Sequence, residues 1–374
     1  MKSTEKKINW VNVAFFIITP LVGIVGTILL CSFGLVKWQT WLFFVGYLYV
    51  TMIAITAGYH RLFAHKSYQA SPIVRFFMLL LGSANFVGSA LEFATDHRDH
   101  HRYSDTDKDL YSIKHGFWHA HLGWILHLDL TKRHYSNVKD LTASAMICFQ
   151  HKYFTIIASF MAFIFPMLVA SLWGNALAGL IVAGVLRVVV INHATFFINS
   201  LCHWSGKQTY SKIETARDNW LTALVTMGEG FHNFHHQFPL DYRNGIRYFH
   251  YDPTKWLIYG LSKLGLTSHL RRVSNHKILT YQLRVEEENL RSKHEQNAAF
   301  FHQKIEPLKT HMLTLIDKIT HLESELAILK NQKLEYMKDR YQTYKHQLQD
   351  YLHAIKVAQQ ELNQSLMSWR QLCI

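Results

Sequence analysis

Four long stretches of the chain contain almost no charged side chains. They cover about residues 10–36, 39–59, 153–173 and 175–198, and only one or two residues separate the members of each pair. A helix of about 20 apolar residues crosses the hydrocarbon core of a bilayer. The pattern therefore predicts an all-α integral membrane protein whose four transmembrane helices form two hairpins.

Polar segments lie between the two hairpins and after the second one. Because each hairpin returns the chain to the side from which it entered, both termini and both polar segments share one side of the membrane. Most Lys and Arg residues that flank the spans lie on that side, whereas the short connections opposite carry only Lys37. The positive-inside rule places the polar segments in the cytosol, next to a bacterial inner membrane or the endoplasmic reticulum. We expect them to fold into a helical cap.

Two features of this pattern allow more than one interpretation. Segment 72–91 is apolar but interrupted by polar residues. It predicts a helix on the membrane surface, with a re-entrant segment as the alternative. Arg187 lies within the fourth span. A charge inside a membrane indicates a functional role, and a side chain that extends to the interface is the alternative.

The composition changes after about residue 280, where Glu, Lys, Gln and Leu become frequent. Apolar residues follow one another in steps of three and four through 308–329 and, after a skip of one residue, through 334–362. This seven-residue period predicts a coiled coil. We therefore divide the chain into a membrane domain, 1–280, and a coiled-coil extension, 281–374. We expect the coiled coil to mediate self-association, with a hairpin that packs on itself as the alternative.

The charge balance adds a constraint on partners. Only 17% of the residues are charged, yet the net charge is +13. A basic excess is compatible with nucleic acid, an anionic membrane surface or an anionic substrate. The sequence contains no helix-turn-helix, zinc-finger or RNA-binding motif. A basic face beside lipid headgroups accounts for the charge, so we predict the lipid bilayer as a partner and no nucleic acid. The four cysteines form no C-x-x-C pair, and no disulfide framework or thiolate zinc site is indicated.

Histidines dominate the chemistry of the polar segments, where the pattern H-x-x-H-H occurs twice. In a helix, residues i, i+3 and i+4 project from one side. Three protonated rings there would repel one another, whereas neutral rings can share a cation, because imidazole nitrogen is a favoured ligand for iron, zinc and copper. The two copies are His97, His100 and His101, and His232, His235 and His236.

A third cluster, the pair His60 and His65, follows the second span. Five residues separate the two, so they do not share one face of an α-helix, and we expect them at a helix end where the chain turns. Together with His203, these clusters supply nine histidines. One catalytic zinc ion uses about three protein ligands. Nine histidines are therefore too many for one ion and suit two ions that share a bridging oxygen species. The ligand type leaves iron and zinc both possible.

Four motifs resemble those of the membrane fatty acyl desaturases. They are H-R-L-F-A-H at 60–65, H-R-D-H-H at 97–101, N-S-L-C-H at 199–203 and E-G-F-H-N-F-H-H at 229–236. Their order, spacing and flanking residues agree with the acyl-CoA branch of that family, the stearoyl-CoA-type (Δ9) desaturases. The resemblance extends over about residues 10–275 and does not include the coiled-coil extension.

The resemblance implies a diiron oxidoreductase. Such an enzyme uses two iron ions that cycle between Fe2+ and Fe3+, dioxygen as co-substrate and two external electrons, and it introduces a cis double bond into a saturated long-chain acyl thioester, here acyl-CoA. Asn199 matches a position that holds a metal-site water. The implied metal ligands are His60, His65, His97, His100, His101, His203, His232, His235 and His236.

The resemblance also implies a substrate tunnel between the spans. Phe93, Thr195 and Phe196 would line the bend of the acyl chain, and Leu48 and Met52 would close the far end and limit chain length. Plain packing is the alternative role for the last two residues.

The acyl carrier and the electron donor are less defined by this resemblance. Leu128 and Asp129 stand where animal members have a basic pair, so CoA, a carrier protein and an intact glycerolipid all remain possible carriers. No His-Pro-Gly-Gly heme motif occurs in the tail. We therefore expect a separate donor of the cytochrome b5, ferredoxin or rubredoxin type, with its reductase.

Two other functions are compatible with the same residues. A lipid hydroxylase, epoxidase or ketolase of the histidine-box class would share the ligands and insert oxygen rather than form an alkene. A metal-binding membrane scaffold or transporter would instead place its ligands near the membrane midplane, whereas these histidines lie outside or at the ends of the apolar runs.

Overall fold

The structure, a computed structural model, describes residues 8–127, 133–293, 298–332 and 341–373. Leu128 and Asp129, and residues 334–340 of the predicted seam, lie outside the described residues. The chain forms two compact units. Unit 1 comprises Met1–Gln208 and Lys212–Arg272, and unit 2 comprises Thr209–Ser211 and Val273–Ile374. The sequence placed the corresponding boundary at about residue 280.

Unit 1 consists of helices and one short antiparallel strand pair. The strands are β1 (Gln69–Ala70) and β2 (Thr267–Ser268). Short helical turns occur at Ile113–His115, Tyr135–Val138 and Lys139–Thr142. The longer helices are α1 (Trp10–Ser32), α2 (Trp38–Ala64), α3 (Pro72–Ser83), α4 (Ala90–Tyr103), α5 (119–126), α6 (Ala145–Lys152), α7 (Phe154–Ser171), α8 (Ala176–Trp204), α9 (Trp220–Val225), α10 (His232–Gln237) and α11 (Pro253–Lys263).

Helices α1, α2, α7 and α8 are long and apolar enough to cross a membrane, with 23, 27, 18 and 29 residues. At about 1.5 Å per residue, even the shortest spans roughly 27 Å, close to the thickness of the hydrocarbon core. The prediction of an all-α membrane protein with four spans is confirmed. Helix α3 has only 12 residues and is too short to cross.

The tips of the two hairpins are hydrogen-bonded to each other. The Lys37 backbone N–H donates to Asn175 Oδ1 over 3.0 Å, and its ammonium donates to the Trp173 carbonyl over 2.6 Å. The Thr40 hydroxyl also donates to Asn175 Oδ1, over 2.7 Å. Both turns therefore lie at the same end of the four helices, which is the arrangement that two hairpins require.

Arg187 is fully buried among the spans rather than extended to an interface. Its guanidinium donates to Asn85 Oδ1 over 2.7 Å, to Thr51 Oγ1 over 3.1 Å and to the Ala84 carbonyl over 2.8 Å. It also lies 4.6 Å from the centre of the Tyr47 ring. Arg187 thus ties α8 to α2 and to the chain that leaves α3, and the interpretation that it reaches an interface is wrong.

Unit 2 contains α12 (Asn275–Lys293), α13 (298–332) and α14 (Tyr341–Cys373). Helices α13 and α14 pack antiparallel: His311 forms a 3.3 Å ion pair with Glu361, whereas Glu325, later in α13, lies beside Tyr351, earlier in α14. Among the described residues, the apolar positions at steps of three and four are buried or partly buried between the helices, with Ile319 and Ala358 at most 1% exposed. The structure therefore shows the hairpin alternative, and the seam on which the expectation of self-association rested is filled within the chain.

Candidate metal centre

The nine predicted histidine ligands lie together in two groups in unit 1. Within each group, one potential ligand atom per side chain lies within 4.8 Å of all the others. The five-histidine group consists of His60, His65, His97, His101 and His235, and the four-histidine group consists of His100, His203, His232 and His236.

Wide helical turns bring His60 and His65 to the same side of the chain. Over Ala54–Ala64 the backbone forms π-helical turns, and the His65 N–H donates to the His60 carbonyl across five residues over 3.0 Å. A π turn holds more residues than an α turn, so side chains five apart nearly align. The two rings lie 4.7 Å apart. The expectation that the pair lies at a helix end is confirmed, since His65 directly follows the last helical residue, Ala64. The sequence did not indicate the π turns.

Each H-x-x-H-H motif contributes to both groups. In α4, His97 and His101 belong to the five-histidine group and His100 to the four-histidine group. In an α-helix, successive residues are about 100° apart, so i and i+4 point in similar directions while i+3 diverges from i+4. The motif in α10 does the reverse, with His235 alone in the five-histidine group. The two helices therefore bind the two groups into one centre.

Capping interactions fix the two helices that carry these motifs. At the start of α4, the Ser89 and Glu92 side chains exchange hydrogen bonds with each other's backbone N–H, which forms a capping box. At the start of α10, Asp218 Oδ1 accepts from the N–H groups of Asn233 and Phe234 over 2.8 and 3.1 Å. Burial raises the pKa of Asp218 to about 7, although these two N–H groups oppose the shift.

The imidazole Nε2 atoms face one another across each group. A neutral imidazole has a single N–H, so a cluster of facing Nε2 atoms presents lone pairs to one another unless a cation lies between them. The closest pairs are His65–His97 at 2.7 Å, His101–His235 at 2.9 Å, His60–His235 and His232–His236 at 3.0 Å, His203–His232 at 3.1 Å and His100–His236 at 3.3 Å.

Six of the nine histidines are held in the neutral form. Burial, and then the charges of neighbouring histidines, lower their pKa values well below the usual value of 6.5. Neutral rings keep a lone pair available at neutral pH. This effect is found for His65, His97, His101, His232, His235 and His236.

Carboxylates set the tautomer of two rings in the four-histidine group, His100 and His236. His100 Nδ1 lies 3.0 Å from Asp109 Oδ1, and His236 Nδ1 makes a short contact with Glu214 Oε2. Because a carboxylate can only accept, each Nδ1 carries the proton and donates it. Nε2 is then the free lone pair directed at the centre of the group, which is the arrangement of histidine ligands in metal proteins.

A hydroxyl relays the same effect to His203. The Thr215 hydroxyl donates to Asp105 Oδ1 over 2.7 Å, so it must accept from His203 Nδ1 at 2.8 Å. In the five-histidine group, His60 Nδ1 lies 2.8 Å from Glu229 Oε2. Buried, neutral and pre-oriented nitrogen donors of this kind fit metal ions better than they fit any arrangement of hydrogen bonds among themselves.

A cavity of about 450 Å3 leads to this centre. His60, His97 and His232 line one part of it, together with Asn199, which stands one helical turn before His203. The remaining wall is mainly apolar. Of the predicted tunnel residues, Met52, Phe93, Thr195 and Phe196 line the cavity. Leu48 does not, and it packs against the core beside it.

The structure adds cavity residues that the sequence patterns did not indicate. Helix α1 supplies Phe15 and Phe16 to the wall. At a polar part of the cavity, Arg133 donates to Asp96 over 2.6 Å and to Glu92 over 2.9 Å. The apolar pattern of α1 is the same for a residue that faces a cavity and one that faces lipid, so only the fold distinguishes them.

Comparisons with known proteins agree with the geometry. Residues 37–267 match the family model for fatty acid desaturases. A probable acyl-CoA desaturase of Schizosaccharomyces pombe is 43% identical over 74% of this chain, and acyl-CoA desaturase 1 of Saccharomyces cerevisiae is 39% identical over 78%. These alignments span 58% of the length of each yeast protein. The human stearoyl-CoA desaturase is 34% identical over 76% of this chain and 80% of its own length.

Proposed function

The chain belongs to the fatty acid desaturase family, and we propose that it introduces a cis double bond into the saturated chain of a long-chain acyl thioester. The proposed substrate is acyl-CoA and the proposed position is Δ9. The observation that carries the proposal is the opening of a mainly apolar cavity onto two groups of buried or partly buried histidines whose Nε2 atoms face one another. The names of the relatives, acyl-CoA and stearoyl-CoA desaturases, support CoA as the carrier.

In this proposal the nine histidines hold two iron ions, with Asn199 acting through a water. These ions and dioxygen would supply the oxidant that removes two hydrogens from adjacent methylene groups. A methylene carries no acidic proton, so the protein side chains need not act as acids or bases. Their task is to hold the chain in place and to exclude water.

Cavity residues suit that task. Phe93 stacks on the ligand His97, with ring centres 5.7 Å apart, and so connects the cavity wall directly to the metal centre. Phe196 is buried and contacts Phe16 of α1 at 5.6 Å. The Thr195 hydroxyl is satisfied by the Ile191 carbonyl at 2.9 Å, so it presents its methyl group without leaving an unpaired donor.

The proposal also covers the membrane side and the electron source. We place the histidine side in the cytosol, at a bacterial inner membrane or the endoplasmic reticulum, because the hairpin tips carry only Lys37 while the other ends of the spans are basic. Two external electrons would come from a separate carrier of the cytochrome b5, ferredoxin or rubredoxin type and its reductase.

Product analysis tests the proposed reaction. The chain is expressed in a desaturase-deficient host that is fed defined saturated acids, and the products are separated and the double bond located by mass spectrometry. A new cis Δ9 double bond is expected, and the His100→Ala variant should give none. An oxygenated product would favour the hydroxylase alternative, and a double bond elsewhere would contradict Δ9. Supplying purified protein with acyl-CoA or with glycerolipid identifies the carrier.

Shortening Met52 should change the chain-length profile. Met52 lines the cavity and is only 1% exposed. One methylene in an apolar pocket is worth roughly 1–3 kcal/mol, so in Met52→Ala the ratio of kcat/KM values for a longer over a shorter acyl chain should rise about tenfold or more. Leu48→Ala is the matched control, since Leu48 lies one turn away and outside the cavity. An unchanged profile in Met52→Ala would remove Met52 from chain-length control.

A further inference from the structure

The two histidine groups differ in the negative charge around them. Three carboxylates serve the four-histidine group: Asp109 and Glu214 contact ligand rings directly, and Asp105 acts through the Thr215 hydroxyl. One carboxylate, Glu229, contacts a ring of the five-histidine group. These are the carboxylates that contact the histidine rings, directly or through one hydroxyl, and they would place negative charge beside the two metal positions.

A neighbouring arginine increases this difference in charge between the two histidine groups. Arg61 lies 2.9 Å from the Glu229 carboxylate and 3.0 Å from the Asp252 carboxylate, so the one carboxylate that contacts the five-histidine group shares a guanidinium with Asp252 and is partly compensated. The carboxylates beside the other group accept from neutral donors instead. Asp109 accepts from the N–H groups of Asp105 and Tyr111, over 3.2 and 3.3 Å. Within the described part of the chain, no Lys or Arg forms an ion pair with Asp105, Asp109 or Glu214.

This difference in charge affects which oxidation state of a metal ion each of the two positions favours. A carboxylate that accepts from Nδ1–H makes the imidazole a stronger donor to its metal. Uncompensated negative charge also favours the more highly charged ion, and the interaction is strong in a buried site. The number of histidines also favours Fe2+ at the five-histidine position, because a fifth imidazole there supplies a softer donor in place of an oxygen ligand.

We propose that the two metal positions are redox-inequivalent. The five-histidine position accepts the first electron, and the four-histidine position retains the ferric ion until the second electron arrives. Each step adds one electron from a one-electron carrier and converts one Fe3+ to Fe2+, without making or breaking a bond. This inference rests on the iron binding in the proposed function and goes beyond it by assigning an order to the two reductions.

Mössbauer spectroscopy of the 57Fe-loaded full chain, reduced anaerobically in steps, tests the order. We expect two separate reduction steps, each changing the signal of one iron. Asp109→Asn and Glu214→Gln each remove a negative charge beside the four-histidine group. They should therefore raise the reduction potential of the second step and leave that of the first step unchanged. Glu229→Gln removes a negative charge beside the five-histidine group and should raise the reduction potential of the first step. Glu323→Gln, an exposed carboxylate of unit 2, should move neither.

Iron content is measured first, and it separates this inference from the proposed function. Wild-type protein that binds no iron would refute the proposed metal centre. Iron-loaded protein in which both ions are reduced in a single step, or whose second step is unmoved in Asp109→Asn and Glu214→Gln, would overturn the inequivalence. Asp105→Asn provides a second variant if the direct contacts prove necessary for loading, because Asp105 reaches His203 only through Thr215. An unmoved second step there would also overturn it.

Discussion

Replacing His100 or His235 by alanine should abolish product formation while the protein still folds and inserts. The two residues belong to different groups, and each Nε2 faces another ligand at about 3 Å. Loss of a group that merely supports a ligand costs about 10–100-fold in metal affinity or activity. Loss of a ligand itself should therefore lower turnover by more than about 100-fold. Product yield and bound iron are measured on the same preparations.

His115→Ala is the matched control for these variants, because His115 is exposed and belongs to neither group. It should keep its iron and its turnover. Full turnover in His100→Ala or in His235→Ala would contradict a centre that needs both groups. A variant that loses iron at only one position would show that the two groups load independently.

Arg61→Met should cost about 3–5 kcal/mol of stability, because it leaves buried carboxylates without their partner. Arg61 is 1% exposed and lies within 3.0 Å of both Glu229 and Asp252. It also donates to the Tyr242 carbonyl over 2.8 Å. One side chain thus connects the end of α2 to two separate parts of the cap. Thermal unfolding of the detergent-solubilised protein measures the effect.

Lys66→Ala provides the comparison for Arg61→Met. Lys66 also pairs with a carboxylate, Asp140, at 3.0 Å, but its side chain is 52% exposed. Exposed ion pairs contribute about 0–1 kcal/mol, so this variant should unfold almost like the wild type. An equal loss of unfolding free energy in the two variants would mean that burial does not determine how much the Arg61 ion pairs stabilise the protein.

Much of the metal centre could be predicted from sequence because its ligands recur at helical spacing. The motifs at His97 and His232 identified the histidines that come together, but the assignment of individual rings to the two groups needed the relative rotation of α4 and α10. The sequence placed His60 and His65 at a helix end, but the π turns that bring their rings to one side leave no mark in the apolar pattern. The partner of His236, Glu214, stands in a separate segment, and no local period relates them.

The less successful predictions have a common physical origin. A seven-residue apolar period specifies that a helix packs along one stripe, but it does not specify whether the partner is another molecule or the next helix of the chain. The seam through Ile319 and Ala358 is buried within unit 2. In the same way, a charge within an apolar run does not reveal its acceptors. The contacts of Arg187 with Thr51 and Asn85 exist only once three helices are assembled.

The bonded hairpin tips determine where the four spans can separate. Lys37 and Asn175 hold the connections together at one end, while the histidine centre lies at the other end of a helix of 27 residues, roughly 40 Å long. His60 of α2 and His203 of α8 both enter the histidine centre at that other end, so these two spans are joined at both ends. The cavity wall that Met52 and Thr195 provide therefore lies between two fixed ends, which keeps its width constant along the length of a bound chain.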